Sequence, residues 1–390
     1  MPAPSSQWFD GYPILEEVGD VAVALFQWYR DLTLWTAVGN EQSRDLFNGG
    51  SEIKIIESPL EATSGVFGKL LKGEIQAEEL CAASLQVAEW ATGEGYSATA
   101  ALFAEAAARL FPGDPDLAFR AGRANRHNIA HDRAVVWFQR GIGMARRSGN
   151  WPSYVDCWLG WGNLEISRGR YGVARRYLNR AFRAARKYNL RELGGAAQHD
   201  LFMLAVDQRQ FDEAYRHAAV ALELHDVNHA SFPFLAHDLA QTWALDGYGS
   251  VALPILQAVR KVIDGVSAQI QIAGNIAGAA GLAGDLDAFF EAWDVVSNAA
   301  TRPMPYVAAA LASVAEGAFA LKLHKQAAES ATKALRIARE REEPTEERRA
   351  ADLLTKLRNG EPPPSARPPP KDMEALASML LQQLSRRADR

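Results

Sequence analysis

A chain of 390 residues with 48% hydrophobic and 23% charged side chains has the composition of a well-packed globular protein, which excludes disorder over most of its length. Its two cysteines, Cys81 and Cys157, are too few for a disulfide scaffold and lack Cys or His neighbours at metal-ligand spacing; both read as small buried residues in a reducing compartment. The net charge of -5 argues against sequence-independent nucleic-acid binding, where the field of the whole molecule counts.

Residues 1–76 open with Val21 to Trp35, where Leu25, Trp28, Leu32 and Trp35 stand at helical spacing and predict an aromatic-rich amphipathic helix. Asn48-Gly49-Gly50 predicts a turn and Ile53 to Ile56 a short extended run. This region lacks the repeat that follows and reads as an N-terminal helical cap, because the end of a repeat array needs one face that does not stick. Residues 1–20 contain no lysine or arginine, so no basic segment precedes an apolar one; a standard secretion signal is not expected, and a cytoplasmic location is.

Residues 77–343 carry a fixed period. Ala134, Ala174 and Ala214 lie 40 residues apart, each in the same place of a helix-turn-helix pattern of aromatic and small residues. The copy from Trp158 is the clearest, with Trp158 and Gly162 in a first helix, Gly169 and Tyr171 at the turn, and Ala174, Leu178 and Ala181 in a second. Large and small residues at these spacings let antiparallel helices interlock. About seven helix pairs fit between 77 and 343.

The order of bulky residue, small residue, turn glycine, aromatic and two alanines resembles the tetratricopeptide repeat. A period longer than the usual ~34 residues resembles its long-helix bacterial relatives. HEAT-like repeats are the structural competitor. The resemblance implies an all-α, right-handed superhelix of antiparallel pairs, with first helices lining a concave groove and second helices covering the back. By that register Arg123, Arg126, His127, Asn163, His199, Asp207, His237 and Gln241 are the candidate partner-binding residues, with Arg123 and Arg126 suited to carboxylates. The family's two-carboxylate clamp is not matched, since Phe119, Asp156 and Leu159 stand where basic or amide side chains would be expected.

Charge is segregated along the chain. Residues 1–117 carry 6 basic and 18 acidic groups, whereas residues 118–191 carry 16 basic and 3 acidic. Arg176, Arg180, Arg183 and Lys187 are spaced 4, 3 and 4 apart and predict a basic outer face on one second helix. A solvated surface is the plain explanation; an acidic protein or a second copy of the chain is the functional one, with nucleic acid as the further alternative.

Catalytic and metal chemistry leave few traces. No H-E-x-x-H, G-x-S-x-G or P-loop motif occurs. His225 and His229 stand at i and i+4, near His217, His237, Asp226 and Asp238, but LHDVNHASFP reads as a helix end and a link ahead of Pro233, so no metal and no cofactor are expected. Residues 265–284 are charge-free, yet Gln269, Gln271, Asn275 and five glycines argue for a closely packed helix and against a membrane span.

Residues 344–370 read as a charged, then proline-rich linker ending in EPPPSARPPP. Beyond it, residues 371–390 predict an amphipathic helix with Met373, Leu376, Leu380 and Leu384 on one face, able to dock on a partner or on its own chain. The expectation is a non-enzymatic, protein- or peptide-binding scaffold. A signal-sensing regulator and a nucleic-acid-associated subunit are the alternatives.

Overall fold

In the computed structural model, residues 76–94, 96–300, 306–341 and 343–388 are described; the N-terminal cap expected over residues 1–76 lies outside them, apart from Gln76. Every regular element among them is an α-helix. In chain order these are α1 Ala77–Glu94, α2 Ser97–Leu110, α3 Pro115–His127, α4 His131–Ser148, α5 Trp151–Ser167, α6 Tyr171–Lys187, α7 Arg191–Asp207 and α8 Phe211–Leu224. There follow α9 Phe232–Leu245, α10 Gly249–Val259, α11 Val266–Ala283, α12 Leu286–Ala299, α13 Val307–Ala320, α14 His324–Glu340, α15 Pro344–Arg358 and α16 Lys371–Ala388. Consecutive helices pack in pairs, which makes this an all-α helical-repeat fold of the α-solenoid class.

The turn inside each pair repeats one piece of backbone chemistry. Ile129, Gly169, Arg209, Gly247, Gly284 and Lys322, at intervals of 37 to 40 residues, all adopt positive φ, from 58° to 99°. Around each of them the chain closes back on the preceding helix: Ala130 N–H donates to Asn125 O, Arg170 to Glu165, Gln210 to Ala205, Tyr248 to Trp243, Asp285 to Ala280 and Leu323 to Ala318. This is a Schellman-type stop, which satisfies carbonyls that the helix end would otherwise leave bare. Glycine fits the left-handed conformation without strain, whereas β-branched Ile129, more than a third exposed, does not. Ile129→Gly is expected to raise stability by roughly 0.5–1 kcal/mol, the released strain less the extra chain entropy of glycine, read as a higher urea midpoint.

The chain divides into two compact units, Met1–Trp161 and Gly162–Arg390. In the first, Cys81, Ala107, Leu117, Ala118, Ala121, Trp137 and Met144 form a core cluster, and Phe138 fills the space that Gly122 and Gly160 leave by having no Cβ. A buried carboxylate is held there as well: Glu105 Oε1 accepts from Asn125 Nδ2 at 2.7 Å and Trp137 Nε1 at 3.1 Å, and its other oxygen pairs with Arg133. Both cysteines are buried and unbridged.

In the second unit one core runs from Phe202 to Leu384. Ala174 and Ala214, like Ala134 in the first unit, have no exposed surface and sit where a larger side chain would push paired helices apart. Helix α11 is buried by its neighbours, and among the described residues no helix is long and apolar enough to cross a membrane.

The linker expected over 344–370 needs correction. Residues 344–358 form α15, which packs on α13 and α14 and buries Ala350 and Leu353; Leu354 and Leu357 line the same core. The density of charge hid this apolar stripe, because Arg and Glu on the other face of a helix are compatible with a buried seam. Within 344–370, residues 359–370 lack helix.

The extended segment is nonetheless placed. Arg367 N–H donates to Gly247 O at 2.8 Å and its guanidinium to Asp246 Oδ1 at 2.9 Å. Helix α16 then docks on α10 of its own chain, burying Ala377, Leu380 and Leu384, while Arg387 donates to the carbonyls of Asn228 and His229, both at 2.9 Å.

Candidate functional site

First helices of successive pairs bring polar residues into line. Along the second unit a chain of hydrogen bonds crosses them one at a time. His199 Nε2 on α7 meets Asp238 Oδ2 on α9 at 2.7 Å, and Asp238 Oδ1 meets His237 Nδ1 at 2.8 Å. His237 Nε2 meets Asn275 Nδ2 on α11 at 3.0 Å, and Asn275 Oδ1 accepts from Ser313 Oγ on α13 at 3.3 Å. Arg349 on α15 donates to Ser313 Oγ at 3.1 Å and to Glu316 at 2.8 Å. A parallel link joins Asn163 Nδ2 to Asp200 Oδ2 at 2.9 Å.

From one helix to the next these partners are 36 to 39 residues apart, with Arg349–Glu316 at 33, and this spacing is the repeat itself. Equivalent turns of equivalent helices stack side by side, so a polar residue at one position finds a partner one repeat later. Polar groups in such a row are satisfied although half-buried or buried, and a satisfied row is rigid.

Asn275 and Ser313 of the row also line a cavity of about 280 Å³, whose wall includes Gln241 and Glu316 from first helices, together with Arg209 and Lys356. The extended segment contributes Glu361, Pro362 and Pro364 to the same wall. Charge around Arg349, which bonds to Ser313 and Glu316 of that wall, is mixed. Burial pushes the Asp207 carboxyl up to about 6 against the pull of Arg349 and Arg348. Burial likewise raises Glu346, while Arg349, despite its own burial, is held charged by Glu316, Glu346 and Asp207.

The eight residues proposed from the sequence separate accordingly. His199 and His237 are members of the row, bridged by Asp238; Asn163 belongs to the parallel link; Gln241 faces the cavity; Asp207 lies near Arg349. Arg123, Arg126 and His127 belong to the first unit. There Arg126 Nη2 stands 3.1 Å from His127 Nε2, and burial with the two neighbouring arginines pushes His127 well below its ordinary pKa. Asp156, in the same unit, is raised to about 7 by burial and by Asp116, with Arg123 opposing. Ser313, Glu316 and Arg349 escaped the sequence reading, which weighed Asp238 only as a metal ligand and Asn275 only as a polar break in an apolar stretch. A search for polar residues recurring at 36 to 39 would have found most of them.

On α6, Arg176, Arg180, Arg183 and Lys187 are all exposed, opposite the buried Ala174, Leu178, Ala181 and Ala185. Arg175 points elsewhere, to Glu213 and to Gln208 at 2.8 Å.

The histidines considered as a metal set are dispersed: His217 pairs with Gln198 and Glu213, and His237 with Asp238. Only His225 and His229 stay together, and they are joined by Glu192, 33 residues before His225, which sequence spacing could not connect. Burial lowers the His225 pKa in spite of its bond to Glu192. For Glu192 the raising effect of burial is outweighed by hydrogen bonds from His225 and from Asp226 N–H, so the carboxyl lies below its usual range.

No protein-family model matches the chain, and no curated protein matches it by sequence. Solved structures do match, and the class they define is that of helical-repeat proteins. The chain is similar to the Rap conjugation gene regulator of the plasmid pLS20, solved in complex with the Phr* peptide, with a TM-score of 0.52 and 12% identity over 87% of this chain and 96% of that one. It is also similar to a Rap protein complexed with competence and sporulation factor, with a TM-score of 0.50 and 14% identity over 86% of this chain and 99% of that one. At such identities the likeness concerns the fold.

Proposed function

We propose that this protein is a non-catalytic regulatory adaptor of the long-helix tetratricopeptide type, which binds a short peptide at the first-helix cavity of its second unit. The observation that carries this reading is the hydrogen-bonded row His199-Asp238-His237-Asn275-Ser313-Arg349, two of whose members, Asn275 and Ser313, stand in the wall of a cavity beside Gln241 and Glu316. A peptide brings its own backbone donors and acceptors, and fixed side-chain amides, hydroxyls and charges can satisfy them at low entropic cost. The two Rap structures contain, by their descriptions, the Phr* peptide in one case and competence and sporulation factor in the other, on a similar fold, which supports the reading.

Gln241 is partly buried and Lys356 exposed, so both can be changed without disturbing the core. Peptides selected from a random display library against the full chain are expected to lose about tenfold in affinity on Gln241→Ala or Lys356→Glu, one lost hydrogen bond or charge being worth roughly 1.4 kcal/mol. Arg180→Glu, on the outer face of α6, is expected to leave that affinity unchanged. Selected peptides that bind both cavity variants as tightly as the wild type overturn the assignment.

The exposed arginines of α6 favour a second contact with an acidic protein segment. It is independent of the cavity, and a triple Arg176→Glu, Arg180→Glu, Arg183→Glu variant that keeps every acidic partner rules it out.

A further inference from the structure

We infer that Glu192, His225 and His229 form a site for a single divalent transition-metal ion of the zinc class. The three donors come from the first turn of α7, the end of α8 and the turn that follows, and their ligand atoms all lie within 4.8 Å of one another. Glu192 Oε2 is 3.0 Å from His225 Nδ1 and 3.6 Å from His229 Nδ1. A tetrahedral ion with bonds of ~2.0–2.1 Å separates its ligands by about 3.3 Å, so the two measured edges straddle the value required.

The ligands are held in place by other parts of the fold. The His225 side chain is wholly buried and its ring lies on Gly195, where a Cβ would come within 3.0 Å of it. Packing therefore fixes the plane of the imidazole and aims Nδ1 at the carboxylate. Coordination through Nδ1 puts the proton of His225 on Nε2, which has no hydrogen-bond partner in either form. His229 Nδ1 accepts from Ser231 N–H at 3.2 Å, so its proton sits on Nε2, and an ion bound at Nδ1 takes over the lone pair that this hydrogen bond now uses.

Asp226 is turned away from the site, its backbone N–H donating to Glu192 Oε1 and its Oδ1 accepting from Asn228 N–H. Three protein ligands leave a fourth position for water or an exchangeable group. Two imidazoles and one carboxylate select zinc, cobalt or nickel over magnesium or calcium, which prefer oxygen alone. The bound ion would fasten the turn whose carbonyls, of Asn228 and His229, receive Arg387 from the docked C-terminal helix. The site stands apart from the cavity and does not depend on peptide binding.

The test is a titration of tag-free, EDTA-stripped full-length protein with zinc against a chromophoric chelator, alongside cobalt followed by its visible absorption. One ion per chain is expected, with Kd tighter than about 10 μM and no competition from excess magnesium. Glu192 and His229 are each partly exposed, so Glu192→Gln and His229→Ala should keep the fold, checked by circular dichroism. Each is expected to weaken binding roughly 100-fold or more, since even outer-shell partners are worth about 10–100-fold. His217→Ala should not weaken it. Absence of saturable binding, or unchanged affinity in both folded variants, overturns the inference.

Discussion

Replacing Gly317 by alanine is expected to destabilise the protein by about 3 kcal/mol, although alanine is the better helix former. A Cβ on Gly317 would collide with Ala277 O and come within 2.8 Å of Ala277 C and 3.1 Å of Gly278 Cα. The reciprocal positions are as tight: a Cβ on Gly274 would lie 2.5 Å from Ala310 Cα, and one on Gly281 would strike the backbone of Gly317. Helices α11 and α13 thus meet backbone to backbone along Gly274, Gly278 and Gly281. No side-chain rotation relieves such a clash, so the helices themselves must separate, and with them Asn275, Gly278, Ser313 and Phe319 in the cavity wall.

Gly172, where an added methyl would meet nothing within 4 Å, is the control. Gly172→Ala removes only the helix penalty of glycine and is expected to gain up to about 1 kcal/mol. Urea unfolding followed by circular dichroism distinguishes the two. A Gly317→Ala midpoint equal to that of the wild type would refute the close approach.

Asp238→Asn is expected to cost roughly 3 kcal/mol at neutral pH, because it breaks a buried charge pair and leaves its partners behind. Asp238 bonds to two histidines at 2.7 and 2.8 Å. Burial would raise its pKa, but the bonds to His199 and His237 dominate and hold it far below the usual carboxylate range. Burial would lower His199, yet Asp238, with Asp200 adding, raises it above the ordinary imidazole value.

The signs of the pH effect follow from linkage. The depressed Asp238 contributes stability that is complete above its unfolded pKa and is lost as pH falls below about 4. The raised His199 contributes stability that is complete below about pH 6.5 and is lost as pH climbs through its folded value. The pair therefore stabilises most between about pH 4 and 6.5. Asp238→Asn should flatten the stability profile at both ends of that window, and a variant profile parallel to the wild type would show that the pair carries no such coupling.

How much of this was legible in the chain can be followed residue by residue. The 40-residue recurrence of Ala134, Ala174 and Ala214 located helix pairs, because a small residue at a helix crossing is a local requirement that recurs with the repeat. Gly169 betrayed one left-handed turn, but Ile129, Arg209 and Lys322 occupy the same conformation without any compositional sign of it. Helix α15 was lost in its own charge. Glu192 joined His225 and His229 only because α7 and α8 lie side by side.

By itself, then, the sequence determined the helical class, the repeat length, the packing of the glycine-rich helix and the position of a basic face on α6, all of which depend on neighbours within one or two turns. Which polar residues meet, where the cavity lies and where the C-terminal helix docks were decided only in three dimensions. Those contacts join side chains one repeat apart or, for Arg367 to the Asp246 side chain and Arg387 to the His229 carbonyl, residues 121 and 158 apart. Periodicity states that helices stack; the angle and distance at which they stack come from the whole set of packed side chains, and these choose the partners.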